Sequence, residues 1–75
     1  MRQKTGTIRE FTVIIERDEE GWFIADAPAL PGCHTQARSL DTLMKRMREA
    51  ISLYLDTRGG ARHETQLVGV QRIAV

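Results

Sequence analysis

From Leu40 to Leu55 apolar residues recur at the helical interval: Leu40, Leu43, Met44, Met47, Ala50, Ile51, Tyr54 and Leu55. At roughly 100° per residue they fill an arc of roughly 140°, one continuous apolar face. Lys45, Arg48, Glu49, Ser52 and Asp56 lie on the far side. Ser39 is placed to cap the first turn and Asp41 to favour its dipole, and Gly59 can close the last turn. A chain of 75 residues has room for this one helix and a few strands, so residues 1–75 read as a single domain. One helix covers only one face of a small sheet. The opposite face must be polar or must meet something else, and that requirement bears most directly on function.

The strands precede the helix. Between Thr7 and Arg17, Phe11, Val13 and Ile15 alternate with Thr12 and Glu16, which is the period of a strand. Ile14 interrupts the polar side of that alternation. Asp18-Glu19-Glu20-Gly21 reads as a turn, with Gly21 taking the positive φ of a bulge, and Trp22 to Ala27 forms the returning strand. With Asp18 opposite Trp22, Phe23, Ala25 and Ala27 share a face with Phe11, Val13 and Ile15. Trp22, Ile24 and Asp26 then share the other face with Ile14 and Glu16; a slip of one residue would exchange the second strand's faces. Pro28-Ala29-Leu30-Pro31-Gly32 ends that strand and reverses the chain, because proline lacks the ladder donor and Gly32 permits a sharp bend. Cys33 to Gln36 reads as a short edge strand, and the β-branched run Leu67 to Val75 as a fourth strand after a polar loop. Residues 1–6 read as a loose arm. The fold class expected is α+β: a small antiparallel sheet with one amphipathic helix packed on one face, in the order β-β-β-α-β.

Composition removes several function classes. Eleven basic and ten acidic residues leave a net charge of +1, too balanced to argue nucleic-acid binding from charge. A single cysteine, Cys33, forms no internal disulfide and fits a reducing compartment. No apolar run approaches the roughly 20 residues of a membrane span, and no apolar segment follows the basic N-terminus as in a signal peptide. A cytoplasmic protein without membrane contact is expected. Small domains bury little apolar surface, which favours association with a copy or a partner.

Catalytic and metal-binding constellations are thin. Cys33 and His34 are neighbours on a strand, so their side chains diverge and form no dyad. His34 and His63 with Cys33 lack zinc-ligand spacing, and no metal or other cofactor is expected. Asp26 is the one carboxylate well placed inside a strand, whereas a metal-dependent nuclease needs several converging. Gly59-Gly60 follows no strand and is no phosphate loop. Met44 and Met47 fall on the apolar arc and read as core. Lys45, Arg46 and Arg48, with Arg38 beside them, could touch RNA phosphates, but no aromatics interleave them, and a solvated surface is the plainer reading. Ile14, Trp22 and Ile24 form either an exposed patch suited to a protein partner or a set partly covered by the C-terminal strand.

The hairpin followed by Pro28-x-Leu30-Pro31-Gly32-Cys33, then Thr35, then a helix ending Ala50-Ile51-x-x-Tyr54-Leu55, resembles the HicB antitoxin family across about residues 10–57. The resemblance implies a partial RNase H-like fold. It also implies a protein that is not an enzyme and that binds and neutralises HicA, a small toxin ribonuclease, by masking its active site. Ile14, Trp22, Ile24 and Asp26 are the expected partner-binding residues. Many members carry a C-terminal helix-turn-helix or ribbon-helix-helix segment for operator binding; the residues up to Val75 contain none, so sequence-specific DNA binding is not expected of this chain alone. The helix also departs from the family's acidic, alanine-rich start, with Lys45, Arg46 and Arg48 on its surface. The alternative is a stand-alone homo-oligomer with no toxin partner and weak RNA binding.

Overall fold

The computed structural model describes residues 9–58 and 66–75. The N-terminal arm, the helix cap at Gly59, the Gly59-Gly60 pair and His63 lie outside the described residues. The elements are β1 (Ile14–Arg17), β2 (Phe23–Asp26), β3 (His34–Ala37) and α1 (Leu40–Arg58). The three strands form one antiparallel sheet in the order β1-β2-β3. The α+β class, with one helix among the described residues, follows the sequence reading.

The first hairpin closes as its residues require. Gly21 has φ of +90° and its N–H donates to the Asp18 carbonyl at 3.2 Å, while the Asp18 N–H donates to the Trp22 carbonyl at 2.9 Å. The Asp18 carboxylate accepts the N–H groups of Glu20 and Trp22, both at 2.9 Å, which holds the turn. The register sets Ile14 opposite Asp26 and Glu16 opposite Ile24, the pairing expected from the bulge.

Two strands differ from expectation. β1 begins at Ile14 rather than Thr7; Thr7 lies outside the described residues, and residues 9–13 form no strand. Continuing the observed register would place Thr12 opposite Pro28 at a hydrogen-bonded pair, and Pro28 has no N–H to give. The fourth strand does not form: residues 66–75 carry no ladder and are exposed throughout. A strand exists only by pairing, and within one chain this segment pairs with none of the described strands.

The Pro-x-Leu-Pro-Gly segment is two consecutive turns. Leu30 N–H donates to the Ala27 carbonyl and Cys33 N–H to the Leu30 carbonyl, each at 2.9 Å, and Ala27 N–H meets the Cys33 carbonyl at 3.0 Å. Pro31 and Gly32, the latter with φ of +85°, suit the two central positions of a type II turn. Between the turns the Leu30 side chain enters the core and is fully buried, with Ala25, Ala27, Cys33, Ala37, Leu43 and Met47.

Helix α1 starts as its sequence predicts. The Ser39 carbonyl accepts the Leu43 N–H at 2.9 Å and the Ser39 hydroxyl accepts the Thr42 N–H at 3.2 Å. The helix lies across β3 and β2 and does not reach over β1. Two residues of its apolar arc, Leu40 and Met44, are therefore exposed, and so is Ile15, although it shares the helix-side face with buried Ala25.

Candidate partner-binding face

Side chains alternate along each strand, so the register assigns the two faces of the sheet. Phe23, Ala25, Thr35 and Ala37 face α1. Ile14, Glu16, Ile24, Asp26, His34 and Gln36 face away from it. Trp22, one residue before β2, has the same parity as Ile24. The four expected partner-binding residues, Ile14, Trp22, Ile24 and Asp26, thus fall on one face, and no described helix or strand crosses it. His34 and Gln36 join them. Their signal was the register of β3, which the Leu30–Cys33 turn fixes by setting Ala27 against Cys33.

Trp22 and Ile24 are half-buried, Asp26 is exposed and Ile14 is 36% exposed. Trp22 is shielded by a cation rather than by the C-terminal segment. The Arg38 guanidinium stacks 4.2 Å from the ring centroid, and its Nη1 donates to the Glu20 carbonyl at 3.1 Å. That hydrogen bond ties the hairpin tip to the end of β3 and presents the indole as a fixed ring. Asp26 stands opposite His34 across β2 and β3, giving the aliphatic centre a polar margin.

The helix cations do not converge. Arg46 Nη1 donates to the Gln36 carbonyl at 2.8 Å, on the β3 side of α1. Arg48 lines a shallow hollow with Arg9, Phe11, Ile51 and Leu55 on the β1 side. Lys45 is exposed between them. Three positive charges facing three directions make no single phosphate track.

Cys33 is buried, and loss of hydration, with the Asp26 carboxylate adding to it, pushes its thiol above its ordinary value of 9.0. His34 points to the opposite face and is exposed, so the adjacent thiol and imidazole do not meet. Among the described residues no three His, Cys, Asp or Glu side chains gather where a metal ion could be held. Asp18 is already engaged in its turn. Among the described residues no helix is long and apolar enough to cross a membrane.

A family profile described as HicB_like antitoxin of bacterial toxin-antitoxin system matches residues 11–71. A UPF0150 protein of Archaeoglobus fulgidus is 47% identical over 66 residues, covering 88% of this chain and 94% of its own. A UPF0150 protein of Synechocystis sp. is 37% identical over 67 residues, covering 89% and 96%. A third, from Thermotoga maritima, is 32% identical over 66 residues, covering 87% and 88%. The matched span runs from Phe11 through the sheet, the Pro-x-Leu-Pro-Gly turns and α1 into the C-terminal segment, and on that extent the chain belongs to the HicB-like antitoxin family.

Proposed function

We propose that this protein is an antitoxin that binds a HicA-type toxin ribonuclease in the cytoplasm and masks its active site with the sheet face opposite α1. One observation carries the reading: Ile14, Trp22, Ile24 and Asp26 lie together on a face that no described helix or strand covers. A rigid aromatic ring beside aliphatic side chains, ringed by Glu16, Asp26 and His34, has the composition of an interface centre with a polar margin. Inhibition by this route requires no catalysis by the antitoxin. The spread of Lys45, Arg46 and Arg48 around the helix gives RNA binding less support than a protein partner.

The test is a pull-down of the tagged chain from its native host, with the bound proteins identified by mass spectrometry. Stoichiometric, salt-resistant recovery of a small ribonuclease supports the proposal; recovery of the chain alone overturns it. With that partner in hand, Trp22→Ala should weaken binding by about 2 kcal/mol or more, roughly thirtyfold, as removal of a central aromatic does. Unchanged affinity in a folded variant would take Trp22 out of the interface.

A further inference from the structure

β1 is an open edge, and it is open in three respects. Its backbone is unpaired on the outer side. Since Asp18 and Trp22 form a hydrogen-bonded pair with β2, ladder alternation turns the N–H and C=O groups of Ile15 and Arg17 outward. Its helix-side face is uncovered, with Ile15 42% exposed. The flank of α1 above it is open: Met44 is exposed, and Ile51 and Leu55, with Arg48 and Ser52, border the hollow beside Phe11. One further strand beside β1 would answer all three. β1 is short, but an uncovered edge bearing isoleucines still offers a site for strand pairing.

The same chain contains a segment with the complementary deficiency. Residues 66–75 include Leu67, Val68, Val70, Ile73 and Val75 and make no strand; Val68, Val70 and Ile73 are 95%, 74% and 81% exposed. In an extended segment Leu67, Ile73 and Val75 fall on one side and Val68, Val70 and Ala74 on the other. Gln71 interrupts the first side and Arg72 the second, but both sides are mainly apolar, as in a strand that belongs to a sheet. Its root lies beside the sheet. Gln66 to Gly69 line a hollow with Phe11, Thr12, Ile14 and Pro28, at the end of the sheet where β1 begins. Beyond that root the segment does not follow its own β1, as the exposure of Val70 and Ile73 records.

We propose that two copies of this chain exchange these segments, residues 67–75 of each forming the fourth strand against β1 of the other. The exchange is two-fold and closed. Each copy gives one strand and receives one, so each β1 gains a ladder partner and each 67–75 segment gains a strand to pair with. It leaves the face bearing Trp22 and Ile24 in place, and it stands independently of the toxin proposal.

Sedimentation equilibrium of the full chain at micromolar concentration should give the mass of two 8.5 kDa chains. In a refolded mixture of differently labelled copies, nuclear Overhauser contacts to the Ile15 methyls from whichever of Val70 and Ile73 shares its face should run between chains. The Ile15 and Arg17 amides should be protected from exchange. Val70→Pro with Ile73→Lys removes a ladder donor and an apolar contact in a segment outside the folded body. It should weaken the dimer at least tenfold and expose both amides, with Trp22 fluorescence unchanged. A monomeric wild-type chain, contacts confined within one chain, or a dimer indifferent to the double substitution would each overturn the proposal.

Discussion

Leu30→Ala tests whether the Pro-x-Leu-Pro-Gly segment is a structural anchor or a contact surface. The Leu30 side chain is fully buried, while Pro28, Pro31 and Gly32 around it are exposed. The substitution removes three carbon atoms, worth about 2.4 kcal/mol at roughly 0.8 kcal/mol per buried methylene. The turns on either side are fastened by the 2.9 Å hydrogen bonds to Ala27 and Cys33, so the loop cannot collapse freely into the space. A cavity contribution therefore adds to the transfer loss, and the expected total is about 3–4 kcal/mol. A domain of this length has a total stability of about 4–11 kcal/mol, so the variant should be on the edge of unfolding. Urea titration followed by Trp22 fluorescence and far-ultraviolet circular dichroism reads this directly, at fixed protein concentration. Leu30→Met, close in volume, should cost less than about 1.5 kcal/mol. A loss below about 1 kcal/mol for Leu30→Ala, with an unchanged denaturant slope, would refute the anchor argument and return the segment to the surface.

Gly32→Ala should destabilise the fold by about 1–2 kcal/mol through backbone conformation alone, since an added Cβ meets no atom within 4 Å but φ is +85°; the same titration measures it. Cys33 gives a pH signature. Its folded thiol ionises above the ordinary 9.0, so the unfolded chain loses the proton first. The stabilisation is complete below pH 9 and is lost as pH rises through the folded value. Cys33→Ala should flatten that alkaline decline relative to wild type, and parallel slopes in the two proteins would contradict it.

The first hairpin and the helix start were legible because each rests on local chemistry: Gly21 at a bulge, Asp18 bonding its own turn, and Ser39 at a cap. The hairpin's face assignment follows from the bulge register, so the sequence alone groups Ile14, Trp22, Ile24 and Asp26. Where the helix would lie was not legible. The arc containing Leu40 and Met44 is apolar whether or not a strand sits beneath it, and only tertiary packing places α1 over β3 and β2. The early end of β1 depends on which residue meets Pro28 across the ladder, a long-range fact. Arg38 and Arg46 were read as surface charges because nothing local announces their acceptors, the carbonyls of Glu20 and Gln36, one of which is 18 residues away. The segment 67–75 had the composition of a strand, but composition does not say from which strand its partner groups come.

The hydrogen bond from Arg46 to Gln36 has a bearing on how this protein behaves when crowded. Gln36 stands at a non-hydrogen-bonded position opposite Ile24, so its carbonyl points off the outer side of β3. An incoming strand would have to evict the guanidinium before it could bond there. The sheet therefore has one receptive margin and one guarded margin. At that one carbonyl the β3 edge is harder for a further strand to join than the β1 edge.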